Sequence, residues 1–191
     1  MKLYEYEAEI IAKKAGLIIP KSILTETLDQ TIQAFKRLNT PVFVKAQILT
    51  SGRGKAGGII RANNEEEVMK ACSKLLGTKI KGILVKKILI QERIQSSKEI
   101  YLGLTIDRSS KSFVVLASIE GGVDIEKLVS EKPEILVKEH IDTLSGLNKD
   151  QIDLIAIKIR LTEKKRKRTI QINTSNDVYN FSQKRLPTFR K

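Results

Sequence analysis

Lys45 interrupts the otherwise apolar run PVFVKAQIL, rich in β-branched residues and of strand length. An unpaired ammonium is costly to bury, so the position demands a negative partner opposite it. Seven residues on, Gly52-Arg53-Gly54-Lys55-Ala56-Gly57-Gly58 places four glycines and two cations in one loop. Glycines let backbone N–H groups approach a polyphosphate closely, and the cations complement its charge. Strand lysine and glycine-rich loop together have the makings of a phosphate clamp. GKS or GKT is absent and the loop leads into the extended run Ile59-Ile60-Arg61-Ala62 rather than a helix, which excludes a P-loop of the Walker A kind. On the residues alone, a surface turn remains the other account of the loop.

The elements that must position these groups alternate along the chain. Tyr4, Ala8, Ile11, Ala12 and Ala15 recur at helical spacing before Gly16, and Leu28, Ile32, Phe35 and Leu38 repeat the pattern before Asn39-Thr40-Pro41. Asn64 with Glu67 three residues on predicts a capped helix start, with Val68, Cys72, Leu75 and Leu76 on one face and a stop at Gly77. ILVKKILIQERI predicts a strand region, and KEIYLGLTID with KSFVVLAS predicts a hairpin around Arg108-Ser109-Ser110. After EGGVDIEKL comes a polar stretch in which VKEHID reads as solvated, then Asp150 as the cap of a helix through Ile152, Ile155, Ala156 and Ile159. Helices alternate with strands, so the class is α/β or α+β.

Composition bounds the function. No apolar run approaches the roughly 20 residues of a membrane span, and MKLYEYEAEI is acidic where a signal peptide is basic and then apolar, which predicts a cytoplasmic protein. Cys72 is alone, so a disulfide within the chain and a zinc site of cysteine pairs are excluded, and it reads as a core residue. His140 is the only histidine and reads as non-catalytic. Of the net charge of +13, +8 lies in residues 164–191, where nine bases face the single acid Asp177. Nucleic-acid binding would therefore rest on that tail, where Tyr179, Phe181 and Phe189 come without an RNA-binding signature.

Four ordered segments, MKLYEYEAEIIAKKAGLIIP, FVKAQILTSGRGKAGGI, KEIYLGLTIDRSS and ASIEGGVDIEK, resemble the motifs of succinyl-CoA synthetase (succinate–CoA ligase) β subunits over about residues 1–160. The resemblance implies an α+β ATP-grasp fold, with 1–163 a partial nucleotide-binding region and 164–191 a basic tail. It implies that Lys45 contacts nucleotide phosphates and that Gly52, Arg53 and Gly54 close over them. Glu92 falls in the segment joining the two lobes, near the adenine edge. Glu99 falls near the ribose hydroxyls, with Gln95 an alternative because the spacing varies. Thr50 and Ser51 depart from the family's usual small Ala and Gly, and Glu120-Gly121-Gly122 matches a second glycine loop.

The implied ligands are ATP or ADP with Mg²⁺, and the implied partner is an α subunit whose histidine exchanges a phosphoryl group with the nucleotide. The family's Mg²⁺ ligands, an asparagine and an aspartate, fall beyond the position matching Ile159, and their motifs are not found here. The expectation is thus a nucleotide-binding fragment, inactive in CoA ligation by itself, with the apolar faces of 100–118 and 152–159 exposed. Pro20 stands where guanine-specific members carry a glutamine, which implies adenine.

Overall fold

The structure is a computed structural model, and it describes residues 2–96, 98–122, 125–142 and 145–161. The segment 164–191 lies outside the described residues. The architecture is α+β, in two compact units that meet in sequence at Gln95 and Ser96.

The first unit runs α1 (Glu5–Lys14), β1 (Ser22–Thr25), α2 (Leu28–Leu38), β2 (Val42–Ala46), β3 (Ile59–Ala62), α3 (Glu65–Leu75), β4 (Lys79–Ile80), β5 (Ile83–Leu84) and β6 (Ile88–Glu92). The strand region ILVKKILIQERI holds two strands, β5 and β6, with Val85-Lys86-Lys87 between them. The main sheet has the order β1-β6-β2-β3, antiparallel throughout.

Alternation along β2 divides the sheet into two faces. Val42, Val44 and Ala46 are fully buried and join Ile88 and Ile90 of β6, Ala62 of β3, Ala34 of α2, and Val68, Ala71, Cys72 and Leu75 of α3 in one core. Cys72 is a free thiol inside this core, as its helical spacing predicts. Phe43 and Lys45 point to the other face, with Gln91 directly across from Phe43 and Leu89 across from Lys45. The apolar core thus lies on one side of the strand, and Lys45 is kept out of it by its register.

Local chemistry fixes the helices that cover the core face. The Thr27 hydroxyl accepts the Gln30 N–H at the start of α2, and Asn39 ends it in the left-handed region at φ 49°. Asn64 accepts the Glu67 N–H while the Glu67 carboxylate accepts the Asn63 N–H, so α3 starts where the sequence pattern places it.

The second unit contains β7 (Tyr101–Asp107), β8 (Ser112–Ser118), α4 (Ile125–Glu131), a 3₁₀ turn (Pro133–Ile135), β9 (Val137–Ile141) and α5 (Lys149–Lys158). The sheet order is β7-β8-β9, antiparallel. The expected hairpin is present, its turn fixed by Asp107, whose carboxylate accepts the Ser109 N–H at 2.9 Å and hydroxyl at 2.6 Å. Val115, Ala117, Ile155 and Ile159 form the core.

Two expectations are corrected. The segment around His140 is the strand β9 rather than a solvated stretch, because Val137 and Ile141 pack into the core while Lys138 and His140 face out. The cap of α5 is Asn148, not Asp150: Asn148 accepts the Gln151 N–H and its own N–H donates to the Gln151 side chain, a reciprocal pair. The apolar side chains of β7 lie open, with Leu102, Leu104 and Ile106 at 68%, 61% and 63% exposure.

Candidate phosphate-binding site

The face of the first sheet turned away from α2 and α3 carries the groups with chemistry, and α1 lies against it. No residue of α1 is fully buried, and its described long-range ties to the sheet are polar. The Lys45 ammonium donates to Glu5 Oε1 at 2.9 Å and to Gln91 Oε1 at 2.6 Å. The other Glu5 oxygen accepts from the Arg53 guanidinium. The Gln91 amide nitrogen donates to Glu9 Oε1 at 2.6 Å, and the second Glu9 oxygen accepts from the Ser22 hydroxyl.

The negative partner that Lys45 requires is therefore a carboxylate of the chain itself, 40 residues earlier in sequence. Glu5 bridges both candidate phosphate cations, whose side chains are only 13% and 15% exposed. Burial pushes the Glu5 carboxyl up, but the hydrogen bond and charge of Lys45, followed by those of Arg53, outweigh it and hold the group below its ordinary value. Lys45 and Arg61 also lie 5.8 Å from the Phe43 ring centroid, within reach of its π face.

The loop between β2 and β3 is turned on itself rather than extended. Ala56 N–H bonds the Gly52 carbonyl at 3.3 Å, Gly57 N–H that of Gly54 at 3.1 Å, and Gly58 N–H that of Arg53 at 2.8 Å. Gly52 sits at φ +67°, a conformation that L side chains rarely adopt. Above it lies a cation that sequence spacing did not single out. Lys81 occupies the tight β4–β5 turn at φ 50° and donates to the Ser51 carbonyl at 2.8 Å.

Lys45 and Arg53 are thus brought together, and Gly52 and Gly54 lie in the loop that carries Arg53. Glu92 closes β6, where its carboxylate accepts the Lys21 N–H at 2.8 Å and its own N–H bonds the Lys21 carbonyl. Gln95 is exposed at the end of the first unit. Glu99 belongs to the second unit, and its carbonyl accepts the Gly121 N–H at 2.9 Å. Gly121 packs so closely there that a Cβ would lie 2.7 Å from the Ile100 carbonyl carbon, and the Glu99 carboxylate lies against Gly122. His140 is exposed, with Nδ1 2.9 Å from the Ser112 hydroxyl.

Sequence spacing did not reveal Glu5, Gln91 or Lys81. The signal that pointed toward Glu5 was the strand lysine itself, which requires a carboxylate without saying which. Among the described residues, no three His, Cys, Asp or Glu side chains form a group able to hold a metal ion. No described helix is long and apolar enough to cross a membrane.

A family model described as the ATP-grasp domain matches residues 2–184, and the chain belongs to that family. It is 43% identical over 147 residues to the β subunit of an ADP-forming succinate–CoA ligase of Halobacterium salinarum, covering 77% of this chain and 38% of that one. The corresponding subunit of Ignicoccus hospitalis is 40% identical over 162 residues, covering 85% and 43%. The chain thus spans about two fifths of the length of these curated relatives. Among solved structures, a dinucleotide-forming acetyl-coenzyme A synthetase of Ca. Korarchaeum cryptofilum superimposes with TM-score 0.62 at 18% identity, over 83% of this chain and 66% of that one, a likeness of fold.

Proposed function

We propose that this chain is the nucleotide-binding part of an ADP-forming succinate–CoA ligase β subunit, holding ATP or ADP so that a phosphoryl group passes to and from a histidine of an α subunit. The observation that carries this function is the convergence of Lys45 and Arg53 on one carboxylate beside a glycine-rich loop, in a chain 43% identical to such a subunit. Lys45, Gly52, Arg53 and Gly54 hold the phosphates, Glu92 lies near the adenine edge, and Glu99 or Gln95 near the ribose. A cytoplasmic location goes with this function.

The contribution of these residues to phosphoryl exchange is positioning and charge neutralisation, the main demands of that chemistry. The family's Mg²⁺ supplies further charge neutralisation when bound.

Lys45→Ala tests the assignment. It is expected to weaken ADP binding by about 1.5–3 kcal/mol, the scale of a hydrogen bond to a charged group, as measured by calorimetric titration of the folded protein. Unchanged ADP affinity in a folded variant would remove Lys45 from the phosphate site and leave the loop as a surface turn.

A further inference from the structure

We propose that Glu5 is a positioning residue of the phosphate site, presetting Lys45 and Arg53 for a nucleoside polyphosphate through its two carboxylate oxygens. This role rests on the nucleotide-binding function proposed above and goes beyond it, because it assigns Glu5 to the two cations rather than to the phosphates.

Lysine and arginine side chains are long and lose much rotamer freedom when a ligand fixes them. A carboxylate that fixes them beforehand moves that loss from binding to folding. Glu5 has this geometry: one oxygen lies on the Lys45 ammonium at 2.9 Å and the other on the Arg53 guanidinium, tying a strand residue to a loop residue.

Donor capacity separates positioning from blockade. An ammonium has three donors and a guanidinium five. Glu5 and Gln91 take two of the three on Lys45, and Glu5 takes the NH2 side of Arg53, so both cations keep donors for a phosphate. Two cations bridged by one carboxylate also retain a net positive charge. The adjacent carboxylate, Glu9, is turned aside by the Gln91 amide nitrogen and the Ser22 hydroxyl and makes no ion pair with either cation. Gln91 separates the two acids, presenting oxygen to the ammonium and nitrogen to Glu9.

The same network secures α1, which buries no residue of its own, so a purely mechanical role for Glu5 must be separable in the experiment. Binding of ADP and of adenosine is measured by titration for the full wild-type chain, Glu5→Gln, Glu5→Asp and Lys45→Ala. Glutamine keeps the shape and removes the charge, whereas aspartate keeps the charge but falls one methylene short of bridging both cations. The expected result is about a tenfold loss of ADP affinity in Glu5→Gln, the size of one charge-assisted contact, with adenosine affinity unchanged and Glu5→Asp intermediate.

Equal losses for ADP and adenosine would show that Glu5 only secures the helix, which overturns the proposal. Tighter or unaltered ADP binding in Glu5→Gln overturns it as well, the tighter case marking the carboxylate as a competitor of phosphate. Should Glu5→Gln not fold, Glu5→Asp decides, with wild-type affinity for ADP counting against bridging. If Lys45→Ala leaves ADP binding intact, the underlying function fails instead, and that outcome is distinct from all of these.

Discussion

Lys81 donates to the Ser51 carbonyl across 2.8 Å, tying the turn between β4 and β5 to the glycine-rich loop 30 residues earlier in sequence. The tie is exposed, so it contributes only about 0.5–1 kcal/mol once solvent screening is allowed for. Lys81→Met should therefore lower ADP affinity two- to fivefold. It should also speed tryptic cleavage after Arg53 and Lys55, because the loop loses its brace. Cleavage and affinity unchanged from wild type would mean that the loop holds its shape through its internal hydrogen bonds.

Gly121 meets main chain, which cannot swing aside as a side-chain tip can. A Cβ there would lie 2.7 Å from the Ile100 carbonyl carbon and 2.9 Å from the Glu99 carbonyl carbon. Gly121→Ala should cost about 1–3 kcal/mol, the usual price of overpacking, and displace the segment that carries Glu99. Hydrogen exchange followed by mass spectrometry should show faster exchange across Tyr101–Ser118 and none of that change across Val42–Ala46. Uniform acceleration in both units would contradict so local an effect.

The depressed carboxyl of Glu5 makes the ion network sensitive to acid. A group whose folded value lies below its ordinary 4.5 stabilises the fold fully above that pH, and the contribution is lost as pH falls through the folded value. The urea stability of wild type should exceed that of Glu5→Gln by about 1 kcal/mol at neutral pH, the scale left to a partly exposed pair. That difference should shrink below pH 4.5. A gap that stays constant down to pH 3 would place its cause in shape rather than charge.

If Pro20 lies at the base, as the family resemblance implies, it offers no side-chain donor to the O6 of guanine, whereas a glutamine there would. ADP should accordingly bind about tenfold more tightly than GDP, one hydrogen bond's difference, and Pro20→Gln should narrow that ratio. Competition titrations with the two nucleotides measure it directly. GDP binding as well as ADP to the wild-type chain would place discrimination elsewhere.

Local signals were legible in the sequence, and long-range pairings were not. Asn64 with Glu67 and the hairpin turn at Arg108-Ser109-Ser110 act within a few residues, so their patterns carry their geometry. The cap at Asn148 is marked in the same way by Gln151 three residues on, but Asp150, nearer the apolar run, is an equally good capping type, so local pattern does not separate the two. β9 lacks a clean apolar alternation because Glu139 stands between Val137 and Ile141 on the inward side, where its carboxylate accepts from the Gln151 amide at 3.0 Å. Lys45 announced the need for an anion. Yet YEYEAE reads locally as an acidic first helical turn, and nothing in it points to a strand 40 residues away.

Among the described residues, β7 is paired along one margin only, with β8, and its other row of main-chain N–H and C=O groups has no neighbouring strand. Leu102, Leu104 and Ile106 project beside that margin. An open edge flanked by apolar side chains is a template onto which another extended segment can add. Self-association should therefore grow with chain concentration, and solubility rather than folding sets how concentrated a sample can be made. Titrations and unfolding curves belong in dilute solution, where the behaviour recorded is that of single molecules.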